Sequence, residues 1–286
     1  MAQTKHQIEA LLAEAGSGGP RHRFGQNFMI DQNLVRLVAE AGNVGRDDLV
    51  IEVGPGTGTL TEELLERCDH VVVVEIDRDL ASLLRRRFAD RPSLTLIEGD
   101  ALAGKHELNS ELSGFLASAR GAGRSPKLVA NLPYNIASPL VIGMLIEGAQ
   151  LLAFTVQKEV ADRLRAGAGS DAYGPLSVMV QLLSDVEVLR NLPPQAFWPA
   201  PKVDSSLVRL TRNDRLGARA VEFGRFVHAL FSFRRKTLRR ALSQAGHDAD
   251  AVLAVTGFDG GKRPEVFSPP QILAMYEALP AGRSGR

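Results

Sequence analysis

Between residues 49 and 157 the chain repeatedly alternates short apolar runs with stretches of helical periodicity. The runs are LVIEV (49–53), HVVVVEI (70–76), SLTLIEG (93–99), KLVAN (127–131) and LLAFTVQ (151–157). TLTEELLER (59–67), RDLASLLRRRF (78–88) and LVIGMLIEG (140–148) are helical stretches between them. Strands apolar along most of their length must be covered on both faces, and strands joined by helices run parallel. The pattern therefore predicts an α/β fold built on a doubly wound, mostly parallel sheet.

The rest of the chain fits around that block. GSGGP (16–20) is a hinge that sets off residues 1–20 as an N-terminal extension, and Asp31 is a cap for a helix carrying Leu34, Val35, Leu37 and Val38. The Ala/Gly/Ser-rich segment 101–126 is weakly helical and reads as a surface insertion without chemistry. KEVADRLRA (158–166) and PLSVMVQLLS (175–184) read as helices, and DVEVLRNL (185–192) with SSLVRLTR (205–212) as a closing strand pair. After the polar stretch 212–220 only helices follow, at 222–231, 235–246, 248–257 and 269–279. The expected division is residues 1–20, 21–212 and 213–286, the last part all-helical.

Composition narrows the function. One cysteine, Cys68, excludes an internal disulfide framework, and the six histidines show no metal-ligand spacing. We expect a reducing compartment and no metal. The first 16 residues carry Glu9 and Glu14 among their apolar positions, which suits an amphipathic helix rather than a signal sequence. No apolar run is long enough to span a bilayer, so a cytoplasmic protein without membrane contact is expected. Net charge is only +1, but residues 201–286 hold 15 Lys and Arg against 8 Asp and Glu. That asymmetry points to a polyanion met from the C-terminal side. FSFRRKTLRRAL, read as a helix, places Arg234, Arg235, Lys236, Arg239 and Arg240 within two turns, a density suited to the phosphates of a structured RNA. With one Trp and three Tyr the chain lacks a single-strand stacking platform.

Chemistry gathers where the strands end. EVGPGTGTL places Gly54, Gly56 and Gly58 at the turn from the first strand into its helix, where the backbone can approach a ligand with free N–H groups. Glu75 ends the second strand, where a carboxylate accepts both hydroxyls of a ribose. Asp100 follows the third strand and Asn131 ends the fourth, so four strands deliver groups to one rim. A nicotinamide-dependent oxidoreductase would prefer G-x-G-x-x-G and a His–acid pair after the fourth strand. Here the fourth strand runs into Asn131-Leu132-Pro133-Tyr134, which better suits S-adenosylmethionine, with Glu75 on the ribose and Asp100 on the adenine amino group.

With HRFGQNF, EVGPGTGTLT, VVEID, GDA, NLPYNIASPL, VQKEVADRL, YGPLSV and FWPAPKVDSSLV in this order and spacing, the chain resembles the ribosomal RNA adenine N6,N6-dimethyltransferases, the kasugamycin-sensitivity family, from about His22 to Tyr276. The resemblance is to the bacterial small-subunit members. It implies a seven-stranded Rossmann-like methyltransferase sheet, S-adenosylmethionine as cofactor, and dimethylation of two neighbouring adenosines in the terminal hairpin of 16S rRNA on the assembling 30S subunit. By family pattern Asn27 and Met29, the latter in place of the usual leucine, also touch the cofactor, as do Ile76 and Ala101. A monomer is expected for the free protein. The erythromycin-resistance type, which modifies large-subunit rRNA, and an assembly factor with weak activity are the alternatives; a DNA adenine methyltransferase fits less well for want of a separate target-recognition domain.

The residues agree with what that resemblance implies. An exocyclic adenine amine is a poor nucleophile because its lone pair is delocalised into the ring. The Asn131 side-chain oxygen and the Leu132 carbonyl could bond the N6 hydrogens and free that lone pair for in-line attack on a sulfonium methyl. Pro133 fixes the backbone so both acceptors meet one point. Tyr134 offers a face for stacking, worth about 1–3 kcal/mol per base. Phe197 is the candidate second ring, with Trp198 as alternative. The methylated amine is acidic enough to lose its proton to water, so no dedicated base is needed, and catalysis rests on positioning and fixed dipoles.

Overall fold

A computed structural model describes residues 3–104 and 107–279. Its contacts form two compact units, Met1–Ala161 with Val186–Arg212, and Asp162–Asp185 with Asn213–Arg286.

The first unit opens with α1 (Lys5–Glu14), whose start is held by a reciprocal Thr4–Gln7 capping box. A two-residue strand β1 (Phe28–Met29) precedes α2 (Gln32–Ala41), and Asp31 caps that helix by accepting the Asn33 and Leu34 N–H groups. The alternation then runs β2 (Leu49–Val53), α3 (Thr59–Leu65), β3 (Val71–Glu75), α4 (Arg78–Arg87), β4 (Leu94–Glu98), α5 (Ser110–Gly121), β5 (Pro126–Asn131), α6 (Ala137–Ile146) and β6 (Leu151–Gln157). After α7 (Lys158–Arg165) and α8 (Pro175–Leu183) come β7 (Ser184–Leu192), β8 (Phe197–Trp198) and β9 (Ser205–Arg212).

Seven strands form one sheet in the order β4-β3-β2-β5-β6-β9-β7. The first five of these are parallel, and β9 runs antiparallel to β6. Every residue of β2 and β3 is buried, which is why those runs are apolar throughout rather than alternating. The chain winds outward from β2 to β3 and β4, then returns to β5 on the other side of β2. This reversal opens a crevice at the strand ends, the position where open α/β sheets bind ligands.

Two expectations need correction. Residues 101–126 are not a bare insertion: α5 is the crossover from β4 to β5, capped by Asn109, and buries Leu112, Leu116 and Ala119. Those apolar positions are diluted by Ser113, Gly114, Ala117 and Ser118, which weakened the periodic signal. Lys105 and His106 of this segment lie outside the described residues. Nor is the N-terminal stretch a mere extension. Ile8 and Leu12 share a core cluster with Leu80 and Leu83 of α4 and with Phe28, so α1 belongs to the first unit.

The second unit packs α8 with α9 (Ala220–Ser232), α10 (Leu238–Gln244), α11 (Ala249–Thr256) and α12 (Pro269–Glu277). Its centre is aromatic: Tyr276 lies 5.4 Å from Phe223 and 5.6 Å from Phe226, centroid to centroid. The Tyr173 hydroxyl donates to the Phe267 carbonyl at 2.8 Å. Residues 162–185 thus join the C-terminal helices, whereas the sequence placed them with the sheet. None of the described helices is long and apolar enough to cross a membrane.

Candidate active site

The ends of β2, β3, β4 and β5 open on one cleft, which residues 23–29 also line. The glycine-rich turn after β2 forms its floor. Gly56 has φ +61°, and a Cβ there would lie 2.8 Å from the Phe28 ring; Gly58 has φ +83°, and a Cβ there would lie 2.7 Å from Phe88. Only glycine combines this backbone with this closeness.

Glu75, 4% exposed, ties the turn to β3. Its Oε2 accepts the Gly56 N–H at 3.2 Å and its Oε1 the Asp77 N–H at 2.9 Å. Burial pushes its pKa up to about 7, against the lowering effect of these N–H donors. A second acid, Glu52 of β2, also lines the cleft and is 2% exposed. It accepts the Thr61 hydroxyl at 2.6 Å, and burial, with a further contribution from the charge of Glu75, pushes its pKa up to about 8. Sequence reasoning missed Glu52, although an acid inside the apolar LVIEV run was a visible signal. Burial thus holds both acids toward their neutral forms, and either could ionise against a cation brought into the cleft.

Beside Glu75, Ile76 is 43% exposed and gives the cleft an apolar plane. Asp100 and Ala101 line the same wall, and Asp100 Oδ1 accepts the Leu102 N–H at 3.0 Å. A carboxylate has acceptor capacity well beyond one such bond.

The segment before β1 is anchored by charge. Arg21 pairs with Asp77 at 2.6 Å and also with Asp79, while the Gln26 amide donates to Asp77 Oδ2 at 3.0 Å. These contacts fix the segment carrying Asn27 and Met29, both of which line the cleft. Neither Arg21 nor Gln26 was marked by a sequence pattern, because their partner lies 51 or more residues away.

At the end of β5, the Asn131 amide is held at both ends. Its Nδ2 donates to the Asn27 carbonyl at 2.6 Å, and its Oδ1 accepts the Thr155 hydroxyl. Asn131 and Pro133 line the cleft, with Pro133 packed over Gly54. Leu132 turns a buried side chain inward, and the half-buried Tyr134 bonds the Ser205 hydroxyl through its OH at 2.8 Å.

The second aromatic is where the expectation fails. Phe197 is 2% exposed and belongs to the core, because β8 pairs with β1 in a register that sets Phe197 opposite Met29. A ring so enclosed has no free face for a base. Trp198 is committed as well, stacked on Phe28 at 6.3 Å with the Lys5 ammonium 5.6 Å from its centroid.

In the second unit Arg234, Arg235 and Lys236 are exposed on a turn before α10, not on the helix predicted from 235 onward. Arg239 and Arg240 are exposed on α10, and Arg239 is paired with Asp250. Among the described residues no cluster of three or more His, Cys, Asp or Glu is arranged to hold a metal.

Known proteins resemble this chain over most of its length. The chain is 37% identical over 278 residues to the ribosomal RNA small subunit methyltransferase A of Moorella thermoacetica, covering 94% of this chain and 96% of that one. It is 42% identical over 271 residues to the enzyme of the same name from Magnetococcus marinus, covering 92% of each. Among solved structures, the 23S rRNA methyltransferase ErmE superposes with a TM-score of 0.62 at 28% identity, over 88% of this chain and 99% of that one. A dimethyladenosine transferase from Plasmodium falciparum superposes at 0.66 with 24% identity, over 86% and 95%, and supports the fold. The family described as ribosomal RNA adenine dimethylase matches residues 19–279. From glycine turn to Asn131 rim, and along nearly its whole length, the chain belongs to the ribosomal RNA adenine dimethylase family.

Proposed function

We propose that this protein transfers methyl groups from S-adenosylmethionine to N6 of two adjacent adenosines in the 3′-terminal hairpin of small-subunit rRNA. It would act in the cytoplasm on the assembling small subunit, as a monomer when free. The observation that carries this reading is the Asn131 amide, clamped at the rim of a cleft whose floor holds two buried acids.

The residues fit the donor. Glu75 has acceptor capacity for ribose hydroxyls beyond its two backbone bonds, Ile76 offers an apolar plane for a purine, and Asp100 can accept from an exocyclic amine. Glu52 and Glu75, raised by burial, would release protons to meet the positive charge of a sulfonium and an ammonium. Bound there, S-adenosylmethionine supplies an electrophilic methyl group. The chain's part is to place the adenine amine. Asn131 Oδ1 and the Leu132 carbonyl accept its two N6 hydrogens and so localise the nitrogen lone pair, and Pro133 holds the two acceptors in fixed relation. The proton released after methylation passes to water. The Tyr134 ring carries the stacking alone, since Phe197 is enclosed.

Relatives at 37% and 42% identity are named for the small subunit, whereas the large-subunit enzyme ErmE stands at 28%, which favours the small-subunit substrate. The exposed Arg234, Arg235 and Lys236 suit the phosphates of a folded RNA. The test is transfer of labelled methyl groups to small subunits from cells lacking the modification, and to large-subunit RNA, with the products mapped. Two adjacent dimethylated adenosines in the small-subunit terminal hairpin are expected. Label confined to large-subunit RNA would reject the assignment.

A further inference from the structure

We infer that Thr155 is a positioning residue for methyl transfer, its hydroxyl holding the Asn131 amide so that the carbonyl oxygen is presented to the target amine. The inference rests on the proposed role of Asn131 as an acceptor for N6. It adds a residue that does not itself meet the substrate.

β5 and β6 are parallel neighbours, and their register sets Asn131 directly across from Thr155. Thr155 is completely buried in the middle of the sheet. A hydroxyl in such a place needs a partner, and the Asn131 Oδ1 is that partner. On the other side of the amide, Nδ2 donates to the Asn27 carbonyl. An unrestrained amide rotates about its terminal torsion, a broad and nearly two-fold well. With both ends bonded the torsion is locked: the Asn27 carbonyl, which can only accept, requires the Nδ2 end, and the Thr155 hydroxyl then donates to the Oδ1 end and holds it there.

That choice matters chemically. An amide carbonyl accepts two hydrogen bonds, so Oδ1 can hold the Thr155 hydroxyl and still accept from N6. An amide turned the other way, or wandering, would offer N–H donors to an amine that must give up its own hydrogens. Thr155 is fully buried, so its packing and hydrogen-bonding roles can be separated by substitution.

Thr155→Val keeps the branched shape and removes the donor, Thr155→Ser keeps the donor and removes the methyl, and Thr155→Ala removes both. With saturating S-adenosylmethionine and small subunits lacking the modification, we expect Thr155→Val to lower kcat about tenfold, the scale of one lost hydrogen bond. KM for the subunit and donor affinity by calorimetry should stay within about twofold, because uniform binding is untouched. Thr155→Ser should recover kcat to within about threefold of the parent even if it melts earlier. Should Thr155→Val not fold, the Thr155→Ser and Thr155→Ala pair carries the same comparison. Asn131→Ala, run alongside, separates the two levels. If it abolishes transfer while Thr155→Val turns over like the parent, or while Val and Ser variants lose kcat equally, Thr155 is structural only and the inference is overturned. If Asn131→Ala is itself fully active, the acceptor role beneath it falls first.

Discussion

Glu75 reaches across the mouth of the sheet to the glycine turn, its Oε2 accepting the Gly56 N–H at 3.2 Å. One carboxylate therefore ties the turn to β3 and lies in the proposed donor site. Glu75→Gln replaces one acceptor oxygen by a donor that faces a backbone N–H. Donor affinity measured by calorimetry should fall about 10- to 100-fold, the range for a hydrogen bond to a charged group. An unchanged affinity would remove Glu75 from the binding site.

The same acids set a pH dependence. Burial raises Glu75 from 4.5 to about 7 and Glu52 from 4.5 to about 8. Between 4.5 and these values the folded protein binds more protons than the unfolded chain, so stability should decline as pH rises through that window, not increase. A cationic ligand favours the ionised acids, so its binding should release protons and tighten from pH 6 to pH 8. Calorimetry in buffers of different ionisation enthalpy reads the proton release. A Glu52→Gln variant should show a flatter profile.

Tyr134 is held by Ser205, hydroxyl to hydroxyl at 2.8 Å. With Phe197 enclosed, Tyr134 is the ring proposed to stack on the target base. Tyr134→Ala should weaken substrate binding by about 1–3 kcal/mol, the range for one base on one aromatic face, while leaving donor affinity alone. Tyr134→Phe should retain most of the binding. Equal losses in the two variants would assign the effect to the hydroxyl.

The basic turn before α10 predicts a salt signature. Reversing Arg234 and Arg235 to Glu should weaken RNA binding and flatten the dependence of log affinity on log salt. Reversing Arg239 should do less, because Arg239 is already paired with Asp250. Binding titrations at several salt concentrations decide it, and an unchanged slope for the Arg234/Arg235 variant would dismiss this turn as a contact.

Why some of this could be read from the chain and some not follows from the range of each interaction. The strands of the parallel sheet are short, largely apolar runs, and Gly54, Glu75, Asp100 and Asn131 each sit at or just beyond the end of one, so pattern and position coincide. β1 and β8 have two residues each, too few for any periodicity, and it is their pairing that turns Phe197 into the core. Thr155 lay in plain view in LLAFTVQ, but its meaning depends on the register between two strands. Arg21 and Gln26 acquire their role from Asp77, a partner remote in sequence. α5 was hidden by small residues that dilute its buried face.

At the centre stands Asn131, whose clamped amide is assigned to accept from the target amine. The most direct measurement is the single-turnover rate of Asn131→Ala on small subunits lacking the modification, with donor affinity determined on the same preparation. Turnover about 10²–10³ lower, the scale of one lost transition-state hydrogen bond, with donor affinity within a few-fold of the parent, is the predicted result. Parent-like turnover would contradict it.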